Sequence, residues 1–222
     1  MAARIRPWFG AGERAWLFDN PKDSLSLGLT QGFDLTFILD DPIARVPLLL
    51  YLFHRIEQAL DGQKAIIFID EGWRALDDEA FEARLRDWLK TIRKKNGLVG
   101  FGTQSAEDVT GTSIGKTIVE QCRTQLFMPN YKASEEGYCG GFGLTPHELE
   151  VVRGMGDTSR CFLIKHDATS VVARLDLGGE DDIISILSGR EETVLLCDAI
   201  RAEVGDDPAV WLPIFQERRK AL

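Results

Sequence analysis

Two segments of the chain carry apolar residues at helical spacing. Residues 45–60 (RVPLLLYLFHRIEQAL) present one wide apolar stripe, which predicts a well-buried helix. Residues 78–95 predict a second helix, and Asn96-Gly97 ends it in the manner of a helix C-cap. The residues predicted to face inward are Leu48, Leu49, Leu52, Phe53, Ile56, Ala59 and Leu60 in the first helix, and Phe81, Leu85, Trp88, Leu89 and Ile92 in the second.

The segments between and after these helices are typical of strands. Residues 65–69 (AIIFI) are apolar without a break, which favours a strand covered on both faces of a parallel sheet. Residues 98–104 and 124–130 predict two further strands, with a helical stretch at residues 114–122 between them. This alternation of strand and helix predicts an α/β fold built on a parallel sheet.

Two shorter apolar segments precede the first long helix. AWLFDN (15–20) and LTFILDD (35–41) each predict a short strand. Asp41-Pro42 is expected to end the second strand, because a residue before proline avoids helical backbone angles.

The last third of the chain predicts a hairpin between helices. TPHE (145–148) is a capping box with proline at the first helical position. CFLIKH and SVVARLDL, joined by residues 167–169, predict a hairpin. The chain from about Asp181 onward is predicted to be a helical tail, with Asp207-Pro208 starting its last helix.

Composition narrows the class of protein. The 222 residues are enough for one sizeable domain, and a net charge of −9 makes nucleic acid an unlikely broad-surface partner. The longest apolar stretch, Val46–Phe53, is far shorter than the roughly 18 to 20 residues that a spanning helix needs. We therefore expect a soluble protein without a membrane span.

Four scattered cysteines leave two interpretations of their chemistry. Cys139, His147, Cys161 and His166 are conceivable zinc ligands, but their spacing fits no familiar zinc finger and the chain has no C-x-x-C pair. Buried or free thiols are the favoured interpretation, and reduced thiols fit the cytoplasm.

The most informative motif is IIFIDE (66–71). An apolar run followed by Asp-Glu is the Walker B pattern of ATP hydrolases: Asp70 ends a rigid strand, where it can hold a magnesium ion, and Glu71 can orient an attacking water. Gln104 ends the next predicted strand, so it is expected at the same rim of the sheet. The alternatives are that the acids simply end a surface strand and that Gln104 bonds a loop backbone.

A basic cluster also lies on the second predicted helix. Glu79, Glu82 and Asp87 are interleaved with it, which favours a solvated face over a partner or nucleic-acid surface. Trp73 and Trp88 are predicted to serve packing rather than base stacking. The basic residues are Arg84, Arg86, Lys90, Arg93, Lys94 and Lys95.

Taken together, IIFIDEGWRALDD, WLKTIRKKNGLVGFGTQSAEDV, IVEQCRTQLFMPN, FGLTPHELEVVRGM, SRCFLIKH and SVVARLDL resemble the C-terminal ATPase domain of VirB-four-type proteins, also known under TrbE and CagE names. The resemblance covers nearly the whole chain. It implies a RecA-like P-loop NTPase fold, hydrolysis of ATP with Mg²⁺, hexameric rings in the full-length proteins, and work with other type IV secretion subunits at the cytoplasmic face of the bacterial inner membrane.

The resemblance also assigns roles to residues. Asp70 and Glu71 correspond to the Walker B pair, with Asp70 as the Mg²⁺ and cofactor residue and Glu71 as a catalytic residue. Gln104 corresponds to the catalytic glutamine after the following strand. Arg160 is a candidate for reaching a phosphate, across a subunit interface, although a surface salt bridge explains an arginine equally well.

The phosphate-binding loop is the departure from this pattern. TGTSIGKT (110–117) has three residues between its glycines instead of four and follows the wrong strand, so it is interpreted as a coincidence. No Gly-Lys-Thr occurs before residue 66, so residues 1–180 are predicted to form a partial RecA-like domain lacking the P-loop strand, with residues 181–222 as its helical extension. The missing strand should leave a gap or unpaired edges in the sheet.

Three functional hypotheses follow. The first is the catalytic part of a secretion ATPase, inactive by itself because it lacks the loop that holds the phosphates. The second is a non-catalytic interaction module of the secretion machinery, with residues 181–222 as the docking element. The third is a fragment of a DNA-translocating motor, against which the acidic charge argues.

Overall fold

The computed structural model of the protein describes residues 2–71, 79–187 and 189–220. Within these ranges the α-helices are α1 (Ala2–Ile5), α2 (Ala15–Phe18), α3 (Thr36–Leu39), α4 (Pro42–Ala59), α5 (Glu79–Thr91), α6 (Ala106–Thr110), α7 (Gly115–Gln121), α8 (Pro146–Gly154), α9 (Asp181–Leu187), α10 (Glu191–Val204) and α11 (Pro208–Arg219). The strands are β1 (Ala65–Asp70), β2 (Gly97–Gly102), β3 (Thr124–Phe127), β4 (Cys161–His166) and β5 (Thr169–Arg174).

The strands form two separate sheets. β1 and β2 are parallel, with Ala65 opposite Gly97 and Asp70 opposite Gly102. The second sheet has the order β3-β4-β5, and β3 runs antiparallel to β4. The prediction that β3 continues the parallel sheet is therefore wrong for the described residues. In the described residues no strand pairing joins β2 to β3, and the predicted gap for a P-loop strand stays a prediction.

The two early strand predictions are wrong, because residues 15–18 and 36–39 form the short helices α2 and α3. Apolar runs of this length do not distinguish strand from helix, and local bonds decide. Asp34 Oδ1 accepts from the backbone N–H of Thr36 at 2.9 Å and from its hydroxyl at 2.7 Å, which favours a turn. Asp41 caps α4, since its side chain accepts from the N–H groups of Ile43 and Ala44, and Pro42 occupies the first turn.

The main core lies between α4, α5 and one face of the β1–β2 sheet. All five residues predicted to face inward in the second helix are buried, four on α5 and Ile92 in the 3₁₀ turn that follows it, and Asn96 ends this turn with a left-handed backbone, φ 61°. Both predictions are confirmed. On α4, Leu49, Leu52 and Phe53 are buried, and the ring of Phe53 meets Trp88 edge-on with centroids 4.3 Å apart. The sheet residues packed against this core are Ile67, Ile69, Val99 and Phe101.

The other face of the β1–β2 sheet is bare in the described structure. Ile66 and Phe68 are 78% and 71% exposed, and Leu98 on β2 is exposed beside them. The expectation that β1 is covered on both faces is therefore wrong here, since α4 and α5 lie against one face only. An unbroken apolar run such as that of β1 is typical of a strand covered on both faces, whereas the described residues cover only one of them.

A smaller core joins β3, β4 and α8. The predicted capping box is confirmed: the Thr145 hydroxyl accepts from the Glu148 N–H at 3.2 Å, and the Glu148 carboxylate accepts from the Thr145 N–H at 2.7 Å. Glu148 also forms a buried ion pair with Lys165 on β4, at 2.8 Å. Burial by itself raises the pKa of Glu148, but hydrogen bonds from Lys165, the Thr145 backbone and Ser170 lower it to about 2.

This pair should make stability depend on pH in acid. Because the folded-state pKa of Glu148 lies below its ordinary value of 4.5, its contribution to the free energy of unfolding is present above that value and is lost as the pH falls toward about 2. We expect urea unfolding measured across this window to show a loss of stability that Glu148→Gln reduces. The neighbouring exposed Glu150→Gln should keep the full pH slope, and identical slopes in the parent and Glu148→Gln would contradict the assignment.

A π-helix packs closely on α6. It spans Glu136–Gly141, and two of its glycines lie against side chains of α6. A Cβ at Gly137 would lie 2.9 Å from the Glu107 carboxylate, and one at Gly141 would lie 2.4 Å from the Thr110 methyl group. Glu107 Oε1 also accepts at 2.6 Å from the hydroxyl of Ser134, which lies two residues before the π-helix.

The chain divides into two compact units, Met1–Asp157 with Phe162–Val172, and Thr158–Cys161 with Ala173–Leu222. The second unit contains α9, α10 and α11, and the predicted helical tail and start of the last helix are confirmed, since Asp207 caps α11 by accepting from Ala209 N–H. Ile200 and Phe215 are buried there. The proposed boundary between residues 1–180 and 181–222 stays a prediction. None of the described helices combines the length and apolarity needed to cross a bilayer.

Candidate functional site

Three of the four predicted site residues lie at one end of the β1–β2 sheet. Asp70 is the last residue of β1, Glu71 follows it, and Gln104 is an exposed residue two positions beyond the end of β2. The Glu71 N–H donates to the Gly102 carbonyl at 3.1 Å, which extends the parallel ladder by one bond. The carboxyl ends of neighbouring parallel strands are where open α/β sheets bind ligands.

The Asp70 carboxylate lies over Gly102. A Cβ at that glycine would be 2.6 Å from Asp70 Oδ1, so the absence of a side chain gives the carboxylate its place. Asp70 itself is exposed, and by strand alternation it lies on the same bare face as Ile66 and Phe68. Sequence reasoning missed Gly102, whose only signal was a glycine opposite the acid in the next strand.

Glu71 adopts a backbone conformation that is unusual for its residue type, with φ 52°. The described residues other than glycine with positive φ are Glu71, Asn96, Arg160 and Asp167. Asn and Asp tolerate the left-handed region, whereas Glu and Arg pay a steric cost there because of Cβ. Strained residues cluster at functional sites, and here the two atypical ones are both residues singled out as catalytic from the sequence.

Because Glu71 has a positive φ, glycine should be more stable than alanine at this position, the reverse of the usual order. We expect Glu71→Gly to have a free energy of unfolding about 1 kcal/mol higher than Glu71→Ala, because both lack the carboxylate and only alanine keeps the Cβ. The same pair at Asp70, in a strand, should show alanine as the more stable variant. Chemical denaturation of the four variants tests this, and a more stable alanine at both positions would refute the strain.

Arg160 belongs to the second unit. It is exposed, has φ 57°, and its carbonyl accepts from the Leu175 N–H at 2.9 Å, just before β4 begins. This bond holds its backbone, and its side chain lies at the surface. Its role toward a phosphate stays a prediction.

The acid pair fits a magnesium ion. Mg²⁺ binds hard oxygen ligands, commonly one or two carboxylates completed by water and substrate phosphates. Asp70 offers an exposed carboxylate seated over Gly102, and a cleft of about 1150 Å³ beside β1 borders both Asp70 and Glu71. The rest of its lining comes from α4, from α5 and from parts of residues 27–39 and 60–64, and no sequence pattern indicated the cleft.

The TGTSIGKT segment does not have the geometry of a phosphate loop. Its amides bond to nearby backbone: Gly111 N–H donates to the carbonyl of Glu107 on α6 at 2.8 Å, and Gly115 N–H to the Thr112 carbonyl at 3.1 Å. Gly115 is buried against Val109, and the side chain of Lys116 is 88% exposed. The segment connects α6 to α7, which supports the interpretation of a coincidental match.

The remaining candidates have ordinary contacts. The four cysteines are free thiols, and no group of three or more His, Cys, Asp or Glu in the described ranges is placed to hold a metal. On the basic helix, Arg84 and Lys95 pair with Glu57 and Arg86 pairs with Glu82, as a solvated face does. Trp88 is a core residue as predicted, whereas Trp73 lies outside the described residues.

This α/β fold, with an acid pair at the carboxyl end of a parallel strand, is that of a P-loop NTPase-type domain. The TraG P-loop domain family matches residues 3–160, and the chain belongs to that family. It is 45% identical over 222 residues to the type IV secretion system protein virB4 of Bartonella henselae, covering 99% of this chain and 28% of that protein. The sequence-based family resemblance is thereby confirmed.

Other comparisons agree. The chain is 42% identical to virB4 of Brucella suis over 229 residues, and 37% identical to the type IV secretion protein PtlC of Bordetella pertussis over 214. It spans little more than a quarter of the length of these relatives. The structure of VirB4 of Thermoanaerobacter pseudethanolicus matches with a TM-score of 0.53 at 16% identity, over 63% of this chain and 38% of that one, which supports the fold.

Proposed function

We propose that the protein supplies the metal-binding and water-activating part of a Mg-ATP hydrolysis site in a type IV secretion ATPase of the VirB4 kind. The observation that carries the proposal is the pair Asp70-Glu71 at the carboxyl end of β1, with Asp70 seated over a glycine and Glu71 held at positive φ. The relatives named above place such a domain in secretion systems.

Each residue has a distinct role in this proposal. Asp70 would hold Mg²⁺, by way of water, and a metal held there would supply positive charge beside the phosphate oxygens. Glu71 orients the attacking water and accepts its proton. Gln104 contacts the γ-phosphate or that water from the neighbouring strand end. Arg160 reaches a phosphate held by a neighbouring subunit of a ring.

The phosphate-binding loop is assigned to a polypeptide segment other than these 222 residues. In the described structure β2 has one strand partner, β1, so its other edge has no hydrogen-bonded strand there. A parallel strand inserted there would bring a phosphate loop to the same sheet end as Asp70 and Glu71. The chain by itself is then expected to bind and hydrolyse ATP negligibly.

The setting proposed for this site is a homo-oligomeric, hexameric ring that works with other type IV secretion subunits at the cytoplasmic face of the bacterial inner membrane. The names of the relatives support the secretion partners. The acidic net charge of −9 weighs against nucleic acid as a partner, and salt-dependent DNA binding would favour the motor hypothesis instead.

The test compares the 222-residue chain with a longer protein in which a segment carrying a complete G-x-x-x-x-G-K-[ST] loop precedes it. Calorimetry should detect Mg-ATP binding only to the longer protein, weakened by Asp70→Ala, and only the longer protein should hydrolyse ATP. If the longer protein folds and binds no ATP, the non-catalytic interaction module becomes the better description. Ordinary hydrolysis by the short chain, abolished by Glu71→Gln, would overturn the assignment of the loop.

A further inference from the structure

Helix α9 has its apolar face outward. Ile183, Ile186 and Leu187 fall on one side of a helical projection and are all exposed, Leu187 to 78%. Ser185, on the opposite side, is only 2% exposed. A surface helix normally buries its apolar stripe and exposes its polar side, so this arrangement points to a partner for the outward face.

The next helix also exposes apolar residues. Val194 and Leu195 on α10 are exposed, while Ile200 on the opposite side of that helix is buried. Together with the apolar residues of α9 they define the α9–α10 surface: Ile183, Ile186, Leu187, Val194 and Leu195. All of these residues belong to the second compact unit.

Acidic residues are frequent in the sequence that carries this surface. Residues 176–198 contain seven acidic residues and one basic residue, Arg190. Glu180, Glu191 and Glu192 are exposed and have no ion-pair partner among the described residues, and Asp198 has only a distant one, Arg201 at 3.9 Å. The helix dipole accounts for Glu191 and Glu192 in the first turn of α10, but Glu180 and Asp198 lie outside that turn.

The negative charge of these residues indicates which kind of partner could bind the α9–α10 surface. A second copy of the same surface, an anionic bilayer and nucleic acid would each bring negative charge against the exposed acidic residues. A helix with lysine or arginine beside a row of leucine or isoleucine would match both these acidic residues and the exposed apolar ones. We infer that the α9–α10 surface docks a basic amphipathic segment of another protein.

A pair of labelled model peptides tests this inference on the whole chain. The first is an amphipathic helix of about 18 residues made of leucine and lysine, and the second has glutamate in place of every lysine. Fluorescence anisotropy should show binding of the lysine peptide at least about 10-fold tighter than of the glutamate peptide, weakening between about 50 and about 500 mM salt.

Matched variants locate the binding. Leu187→Ser with Leu195→Ser, and separately Glu191→Lys with Glu192→Lys, should each weaken binding of the lysine peptide about 10-fold or more. Leu126→Ser with Met128→Ser removes two exposed apolar side chains from the other unit and should leave binding unchanged. Circular dichroism confirms that each variant is folded, and all these positions are exposed.

Several outcomes would overturn the inference. They are equal affinity for both peptides, no binding of the lysine peptide at about 100 µM, and unchanged binding in the leucine variants. Self-association in light scattering that Leu187→Ser with Leu195→Ser abolishes would identify a second copy as the occupant. Binding of phosphatidylserine vesicles lost in the same variant would identify a membrane. None of these measurements depends on ATP hydrolysis.

Discussion

Replacing Glu71 by glutamine, in a longer protein that places a complete phosphate loop before these residues, should lower kcat for ATP hydrolysis by about 100-fold or more. A positioned general base contributes roughly 10² to 10⁴ in rate, and glutamine keeps the size of the side chain without its basicity. KM for ATP should stay within about threefold, because the lost interaction acts on the transition state rather than on bound substrate. Steady-state kinetics at saturating Mg²⁺ measures both values.

The control is Glu150→Gln, which removes an exposed carboxylate from α8 at no cost to the site. It should keep kcat unchanged. A loss below about threefold for Glu71→Gln, or an equal loss in both variants, would remove Glu71 from the proposed mechanism.

Trp88→Ala should lower the free energy of unfolding by about 3 to 5 kcal/mol, the usual range for deleting a buried tryptophan. Trp88 is 1% exposed and packs with Phe53 and Phe81 between α4 and α5. Trp88→Phe should cost much less, because its ring keeps most of the contacts and because the indole Nε1 has no hydrogen-bond partner in the described structure. Urea unfolding measures all of these changes.

Trp16 provides the matched comparison, since it is the same residue type at 68% exposure. Trp16→Ala should cost less than about 1 kcal/mol. If Trp88→Phe were as destabilising as Trp88→Ala, the indole N–H would have a partner that matters, and the account of this core would be wrong.

The parts of the fold that sequence predicted correctly are those with long periodic patterns or specific caps. Helix α5 and its buried residues follow from spacing sustained over four turns, and α8 follows from the Thr145 to Glu148 capping box. The strand predictions for residues 15–20 and 35–41 were wrong because four or five apolar residues fit either a strand or a helix. The pairing of β3 with β4 depends on contacts distant in sequence, which spacing does not reveal.

The candidate site, too, could be predicted from the sequence only in part. Residue types and their order were enough to select Asp70, Glu71 and Gln104, because the chemistry of magnesium and water constrains them. The space over Gly102 and the positive φ of Glu71 are properties of the backbone, so only coordinates reveal them. The roles of these residues, and that of Arg160, remain predictions.

The close contact between α6 and the π-helix also has a mechanical consequence. Glycines at positions 137 and 141 bring the backbone of the π-helix directly against the Glu107 and Thr110 side chains of α6, so a displacement of one element presses on the other. Ser105, the N-cap of α6, directly follows Gln104, and its hydroxyl donates to the Glu107 carboxylate that also binds Ser134. The loop bearing Gln104 is therefore connected, through these hydrogen bonds and this close contact, to the part of the chain that leads from β3 into α8.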